Sequence, residues 1–139
     1  MIDNITVSIS APMHSIPRYS KDVFEYRNLT FVPRFSTSGE LYQYESDLKN
    51  LRVRLRPATD KVIICNSFHK YAVGNNYTDF TLKDLHDTCE ELADVLDVDV
   101  FEGSIKKIEY GCNVLVDDAY LPWQKLLSYQ NKKLPTTME

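Results

Sequence analysis

The chain has 139 residues, 43% hydrophobic and 26% charged, with a net charge of −4. That length fits one ordinary domain able to bury ~65–70% of its unfolded surface without disulfide or metal staples. The composition excludes a mainly disordered chain, no apolar run reaches the ~20 residues of a bilayer span, and the net charge argues against a protein that coats nucleic acid non-specifically.

The first half reads as strands. Ile5–Ile9 alternates apolar with small polar residues; Leu29–Val32 is short and apolar, ahead of Pro33; Leu41–Glu45 alternates after Gly39. Leu51–Arg56 is a strict period-2 segment, and Lys61–Cys65 is continuously apolar, as a central strand would be. Pro57-Ala-Thr-Asp60 between them has turn composition. The period then changes. Leu82, Leu85, Cys89, Leu92 and Leu96 form a helical stripe, with Thr81 as N-cap and Asp84 in the first turn. The outer face of that helix carries Asp84, Asp87, Glu90, Glu91 and Asp94, the pattern of a solvated acidic surface. Ile105 to Val116 reads as a further strand, and Leu121–Leu127 as a short helix with Pro122 in its first turn. The expected fold is therefore α+β: a mostly antiparallel sheet of five to six strands, with one long amphipathic helix and a short C-terminal helix on one face. Residues 1–130 form one domain and residues 131–139 a frayed polar tail.

Several chemistries lack their signatures. The three cysteines, Cys65, Cys89 and Cys112, form no Cys-x-x-Cys pair and read as small buried thiols in a reducing compartment. The histidines, His14, His69 and His86, are scattered, and neither a glycine-rich phosphate loop nor a Gly-x-Ser-x-Gly elbow occurs. The N-terminus has no signal-peptide pattern, so the expectation is a cytoplasmic protein without a membrane partner, in which the sequons at Asn4, Asn28 and Asn76 carry no glycan.

Three segments hold candidate chemistry. Arg52, Arg54 and Arg56 share one face of a strand with guanidiniums ~6.8 Å apart, commensurate with the phosphate spacing of a nucleic-acid strand. The plainer reading is that they pair with Glu45 or Asp47 on a neighbouring strand. Ser67–Phe80 combines His69, Lys70, Tyr71 and Tyr77 around Gly74-Asn75-Asn76, a mixture of bases and aromatics suited to clamping and stacking a single strand. The plainer reading is a strand end and a structural loop leading to the helix. In Lys107–Val114, alternation puts Lys107, Glu109, Gly111 and Asn113 on one face; Glu109 and Asn113 are oxygen donors of the kind Mg²⁺ or Mn²⁺ accepts, and Glu109 could equally pair with a neighbouring base.

Charge is distributed unevenly. Residues 1–70 carry 10 Lys/Arg against 7 Asp/Glu, or +3; residues 71–139 carry 6 against 13, or −7. Such a chain could seat a polyanion on one face only, or the asymmetry could mean nothing more than solvated helices.

Met1-Ile-Asp-Asn-Ile, Ser67-Phe-His-Lys-Tyr, Gly74-Asn-Asn-Tyr, Asp79-Phe-Thr, Glu90-Glu-Leu and Ile108-Glu-Tyr-Gly-Cys-Asn113-Val occur in this order. Together they resemble the N-terminal part of rolling-circle replication initiation proteins of the filamentous-phage gene II type. The resemblance implies a domain that binds origin DNA, as a hairpin or single strand, and contributes part of a metal-dependent nicking site. With it, Arg52, Arg54, Arg56, His69 and Lys70 are expected on phosphates and Tyr71 and Tyr77 on bases, while the resemblance itself implies Glu109 as a metal ligand beside the weaker neutral donor Asn113. The nucleophilic tyrosine of that family lies in a C-terminal region beyond the residues present, so no catalytic residue is assigned. A different class of function stays open: a short non-catalytic relative that binds another protein through its acidic helix and acts as an inhibitor or regulator.

Overall fold

The structure, a computed structural model, describes residues 2–12, 16–17 and 20–110. Seven strands, all paired antiparallel, form one sheet: β1 (Ile2–Ser10), β2 (Phe24–Tyr26), β3 (Leu29–Phe35), β4 (Leu41–Leu48), β5 (Leu51–Arg56), β6 (Lys61–Asn66) and β7 (Ser104–Tyr110), in the order β2-β3-β4-β5-β6-β1-β7. Two helices, α1 (Phe68–Val73) and α2 (Leu82–Leu96), connect β6 to β7. Strands β2 to β6 run as a meander. The chain then passes through the two helices to β7, leaving β1 between β6 and β7.

The α+β class, the antiparallel sheet and the long helix follow the sequence reading; the strand count is higher. β2 was not expected. It has three residues, too few to show a period, and is held by a two-residue turn in which Arg27 and Asn28 both take positive φ. β3 runs through Pro33 instead of stopping before it. Pro33 pairs with Tyr44 on β4, whereas β2 covers only Leu29 to Phe31, so the proline's missing N–H falls on a free stretch of edge. Pro57–Thr59 forms a single 3-10 turn.

The segment after β6 is a helix and not the expected strand end and loop. The Ser67 side chain accepts from the Lys70 amide at its start, and Gly74 ends it with φ of +81°, a left-handed conformation that glycine adopts without strain. Six residues are too short for an apolar stripe to stand out. α2 has the expected cap. The Thr81 side chain accepts from the Asp84 amide while the Asp84 carboxylate accepts from the Thr81 amide. Hydrogen bonds from the Thr81 hydroxyl and then the Thr81 amide hold the Asp84 carboxyl below its ordinary range. Its stripe departs from expectation at one end: Leu82 is 82% exposed, and the buried positions are Thr88, Leu92 and Leu96.

Alternation along the strands builds a one-sided core. Ile5, Val7 and Ile9 of β1, Leu51, Val53 and Leu55 of β5, and Val62 and Ile64 of β6 meet Phe68, Tyr71, Leu92 and Leu96 of the helices. The other face of the sheet carries neither helix. Gly103, just before β7, marks a close approach to β1. A Cβ built there overlaps Val7 Cγ1 and lies 2.9 Å from the Val100 carbonyl oxygen, which cannot yield. Gly103→Ala is expected to cost about 1–3 kcal/mol, read by urea denaturation. An unchanged midpoint would show that β7 can shift outward freely.

No helix among the described residues is long and apolar enough to cross a membrane. The expected strand end at Val116, the helix Leu121–Leu127, the tail 131–139, and Asn113 lie outside the described residues.

Candidate nucleic-acid interface

The register of the sheet assembles the helix-free face. Glu45 stands opposite Arg54, Asp47 opposite Arg52, and Arg56 opposite Lys61. Arg34 of β3 and Lys107 of β7 extend the same face at its two sides, through pairing with Gln43 and Thr6. The result is a row of six bases, Arg34, Arg52, Arg54, Arg56, Lys61 and Lys107, against four acids, Glu25, Glu45, Asp47 and Glu109.

The arginine stripe is both displayed and anchored. Arg52 Nε donates to Asp47 at 3.2 Å, Arg54 Nε to Glu45 at 3.0 Å, and Arg56 Nε to the side-chain Oε1 of Gln43 at 3.2 Å. Glu45 is the hub. Its Oε2 accepts from Arg34 Nε at 2.7 Å, and its Oε1 also accepts from Gln43 Nε2 at 2.7 Å. Burial pushes the Glu45 carboxyl up, but the Arg34 hydrogen bond and the Arg54 and Arg34 charges outweigh it and hold the group below its ordinary range. The acid partners anticipated from sequence are thus the observed ones. The arginines keep donors to spare, because each contact uses one of five N–H groups on a guanidinium. Arg34 and Gln43 were not singled out in the sequence; only the cross-strand register brings them to Glu45.

The Ser67–Phe80 segment divides. His69 is 1% exposed, stacked on Phe80 at 4.9 Å with Nε2 3.3 Å from Thr78 Oγ1. Tyr71 is 3% exposed, and its hydroxyl donates to Glu91 at 2.8 Å under the Lys49 ammonium, 4.1 Å from the ring centroid. Burial and the Glu91 carboxylate push the Tyr71 phenol far up. These two side chains pack α1 into the core, which corrects the expectation that they face a nucleic-acid strand. Helix geometry explains the change: positions 68, 69 and 71 fall on the inward side of α1, leaving Lys70 exposed. Tyr77, in the following loop, is 79% exposed and presents an open ring.

Glu109 lies on β7, where its carboxylate accepts from Asn4 Nδ2 at 2.6 Å and from Lys107. Lys107 and Asn4 together hold its carboxyl below the usual range. Both oxygens are engaged, and among the described residues Glu109 belongs to no group of three potential metal ligands. That donor set makes an ion pair. An Mg²⁺ or Mn²⁺ site here would need ligands from outside the described residues. The cluster that does form, His86, Asp87 and Glu90, lies on the exposed side of α2, where Asp87 also binds Lys83. With Glu91 and Asp94, also exposed, it makes the helical face acidic.

Charge therefore segregates by face, the helix-free sheet net basic and the outer side of α2 acidic. Comparison of the chain with protein-family models, with curated proteins and with solved structures returns no match.

Proposed function

We propose that the chain binds single-stranded DNA across the helix-free face of its sheet, as the N-terminal domain of a replication initiator does. The observation that carries this reading is the surplus of six bases over four acids on that face. Phosphates run along Arg52, Arg54 and Arg56, with Arg34 and Lys107 at the flanks. An antiparallel sheet with a face that neither described helix covers is a platform of the kind single strands use. Lys70 and Tyr77, near the same end of the sheet as Asn4, extend the contact with a charge and a stacking ring. Strand nicking would need a nucleophile and metal ligands beyond these residues.

The test is fluorescence anisotropy with a labelled single-stranded oligonucleotide and a labelled hairpin at ~50 and ~200 mM salt. Binding is expected to weaken with salt. In Arg52/Arg54/Arg56→Ala, the slope of log K against log salt is expected to flatten by about 2, since each single-strand phosphate contact contributes ~0.7. The substitutions leave Leu51, Val53 and Leu55 on the core side untouched. No binding at the lower salt, or an unchanged slope, removes the reading. The acidic face of α2 would then favour the second one, a regulator that binds a basic protein surface there.

A further inference from the structure

An apolar cavity of about 360 Å³ opens on the helix-covered side of the sheet, away from the arginine row. Its floor comes from four elements: Phe31 of β3, Leu55 of β5, Val62 of β6 and Leu96 of α2, all buried. Its rim is exposed, at Pro12 just past β1 and at Asp97 at the end of α2. Walls of hydrocarbon give water almost no hydrogen bonds, and side chains facing a void lose the contacts a neighbour would supply. The space is at the lower end of the ~300–1,000 Å³ of small-molecule sites, room for one ring or a short chain.

Asp97 is the one charged residue among the described residues that line the cavity. It caps the C-terminus of α2 with φ of +55°, and its amide donates to the Ala93 carbonyl. The carbonyl end of a helix favours a cation, yet the last turn of α2 holds no base and contains a further acid, Asp94. The cation that does reach this end comes from elsewhere in the chain. Arg27, in the β2–β3 turn, donates from Nη2 to Asp97 Oδ2. The Asp97 side chain stays 62% exposed in that pair. A carboxylate has acceptor sites on both oxygens, more than one donor fills. The charged part of the rim is therefore reachable from solvent and able to take a second donor.

Floor and rim set two requirements on one molecule. The floor calls for hydrocarbon. The rim calls for a cation and disfavours a carboxylate. We propose that this cavity binds a small apolar amine, its hydrocarbon body among Phe31, Leu55, Val62 and Leu96 and its ammonium group on Asp97. An apolar recess with a charged group at its edge is the usual build of a small-molecule site: the recess supplies affinity and the charge fixes orientation. The Arg27 guanidinium on Asp97 already makes the contact such a head group would make. The site owes nothing to the nucleic-acid reading, because the cavity and the arginine row lie on opposite faces of the sheet. Either can fail alone.

The experiment follows the methyl groups of Leu55, Val62 and Leu96 by ¹H–¹³C NMR as the full chain is titrated with 2-phenylethylamine, ethylbenzene and 3-phenylpropionate. The three share a ring and differ in the head group, which is cationic, absent and anionic in turn. The amine is expected to shift these methyls and to bind about twofold to fivefold more tightly than ethylbenzene, the modest gain of an ion pair at an exposed rim, with phenylpropionate weakest. Asn tolerates left-handed backbone as well as Asp does, so Asp97→Asn should keep the fold. It is expected to remove the advantage of the amine and leave ethylbenzene unchanged. Ala11→Leu adds volume at the cavity wall and should weaken all three probes. No methyl shift at millimolar amine, ethylbenzene or phenylpropionate binding as well as the amine, or an amine advantage that survives Asp97→Asn would each overturn the proposal. So would undiminished binding by Ala11→Leu.

Discussion

Phe31→Ala is expected to remove about 3–5 kcal/mol of stability and to lower Tm by on the order of 10 °C. Phe31 is fully buried in β3, stacked on Phe24 at 5.6 Å, and Phe24 in turn meets the Tyr44 ring edge-on at 4.8 Å. The ring also closes one side of an apolar cavity of about 360 Å³ lined by Ile16, Leu55, Val62 and Leu96. Truncation would open the side chain's volume into space already present. The surroundings are poorly placed to collapse onto it, and the cost belongs at the upper part of the usual range. Against a typical total of ~5–15 kcal/mol, that loss is a third or more. The neighbouring substitution Val32→Ala is the control. Val32 points to the helix-free face and is partly exposed, so its loss should stay within about 0.5 kcal/mol. Urea denaturation of both variants gives the comparison. Equal effects would mean that the two faces of β3 are not distinguished as its burial pattern indicates.

Phe31 also shows what the sequence made legible. Leu29–Val32 was readable as a strand from its apolar run, but which of its residues faced the core was not, because a run without alternation has no face. Where alternation was strict, in Leu51–Arg56, both the core side and the arginine side were legible, and so were the acid partners, since Glu45 and Asp47 sit at period 2 on a strand that can pair with it. α2 was legible for the same kind of reason: a repeated 3–4 spacing and a capping pair three residues apart. α1 was not. Its six residues give one turn and a half, and the pair Phe68 and Tyr71 is too little stripe to outweigh the strand before it. With α1 unread, His69 and Tyr71 could be mistaken for surface contacts when they are core. A polar cleft at the end of the sheet was illegible altogether: Asn4, Asn50, Asn66 and Asn76 line it only because β1 lies beside β6 and the β4–β5 turn reaches the same end of the sheet.

Glu45→Gln is expected to act in opposite directions on stability and on binding, and that opposition is the sharpest test of the basic face. The glutamate accepts hydrogen bonds on both oxygens, from Arg34 on one and from Arg54 and Gln43 on the other. A glutamine of the same shape must turn an NH2 toward one side or the other, placing donor against donor. The lost charge-assisted bonds should cost about 1–2 kcal/mol, at the lower side of their range because Arg34 is half exposed to solvent. The pH dependence follows from the direction of the shift. The folded carboxyl titrates below its unfolded value of ~4.3, so its contribution is complete above that pH and is lost as pH falls through the lower folded value. The difference in stability between wild type and Glu45→Gln should therefore narrow on acidification, as the wild type becomes protonated at the position the variant has already neutralised. Binding goes the other way. At pH 7 the substitution releases Arg34 and Arg54 from their acid and takes one negative charge off the face, raising the surplus of bases from two to three. Affinity for a single-stranded oligonucleotide at ~50 mM salt should rise about threefold to tenfold. A structural ion-pair network with no anionic ligand predicts the stability loss alone. A variant that is less stable and binds no tighter would mean that the Arg34–Glu45–Arg54 cluster only ties β3, β4 and β5 together, and that the arginine row faces solvent for that reason.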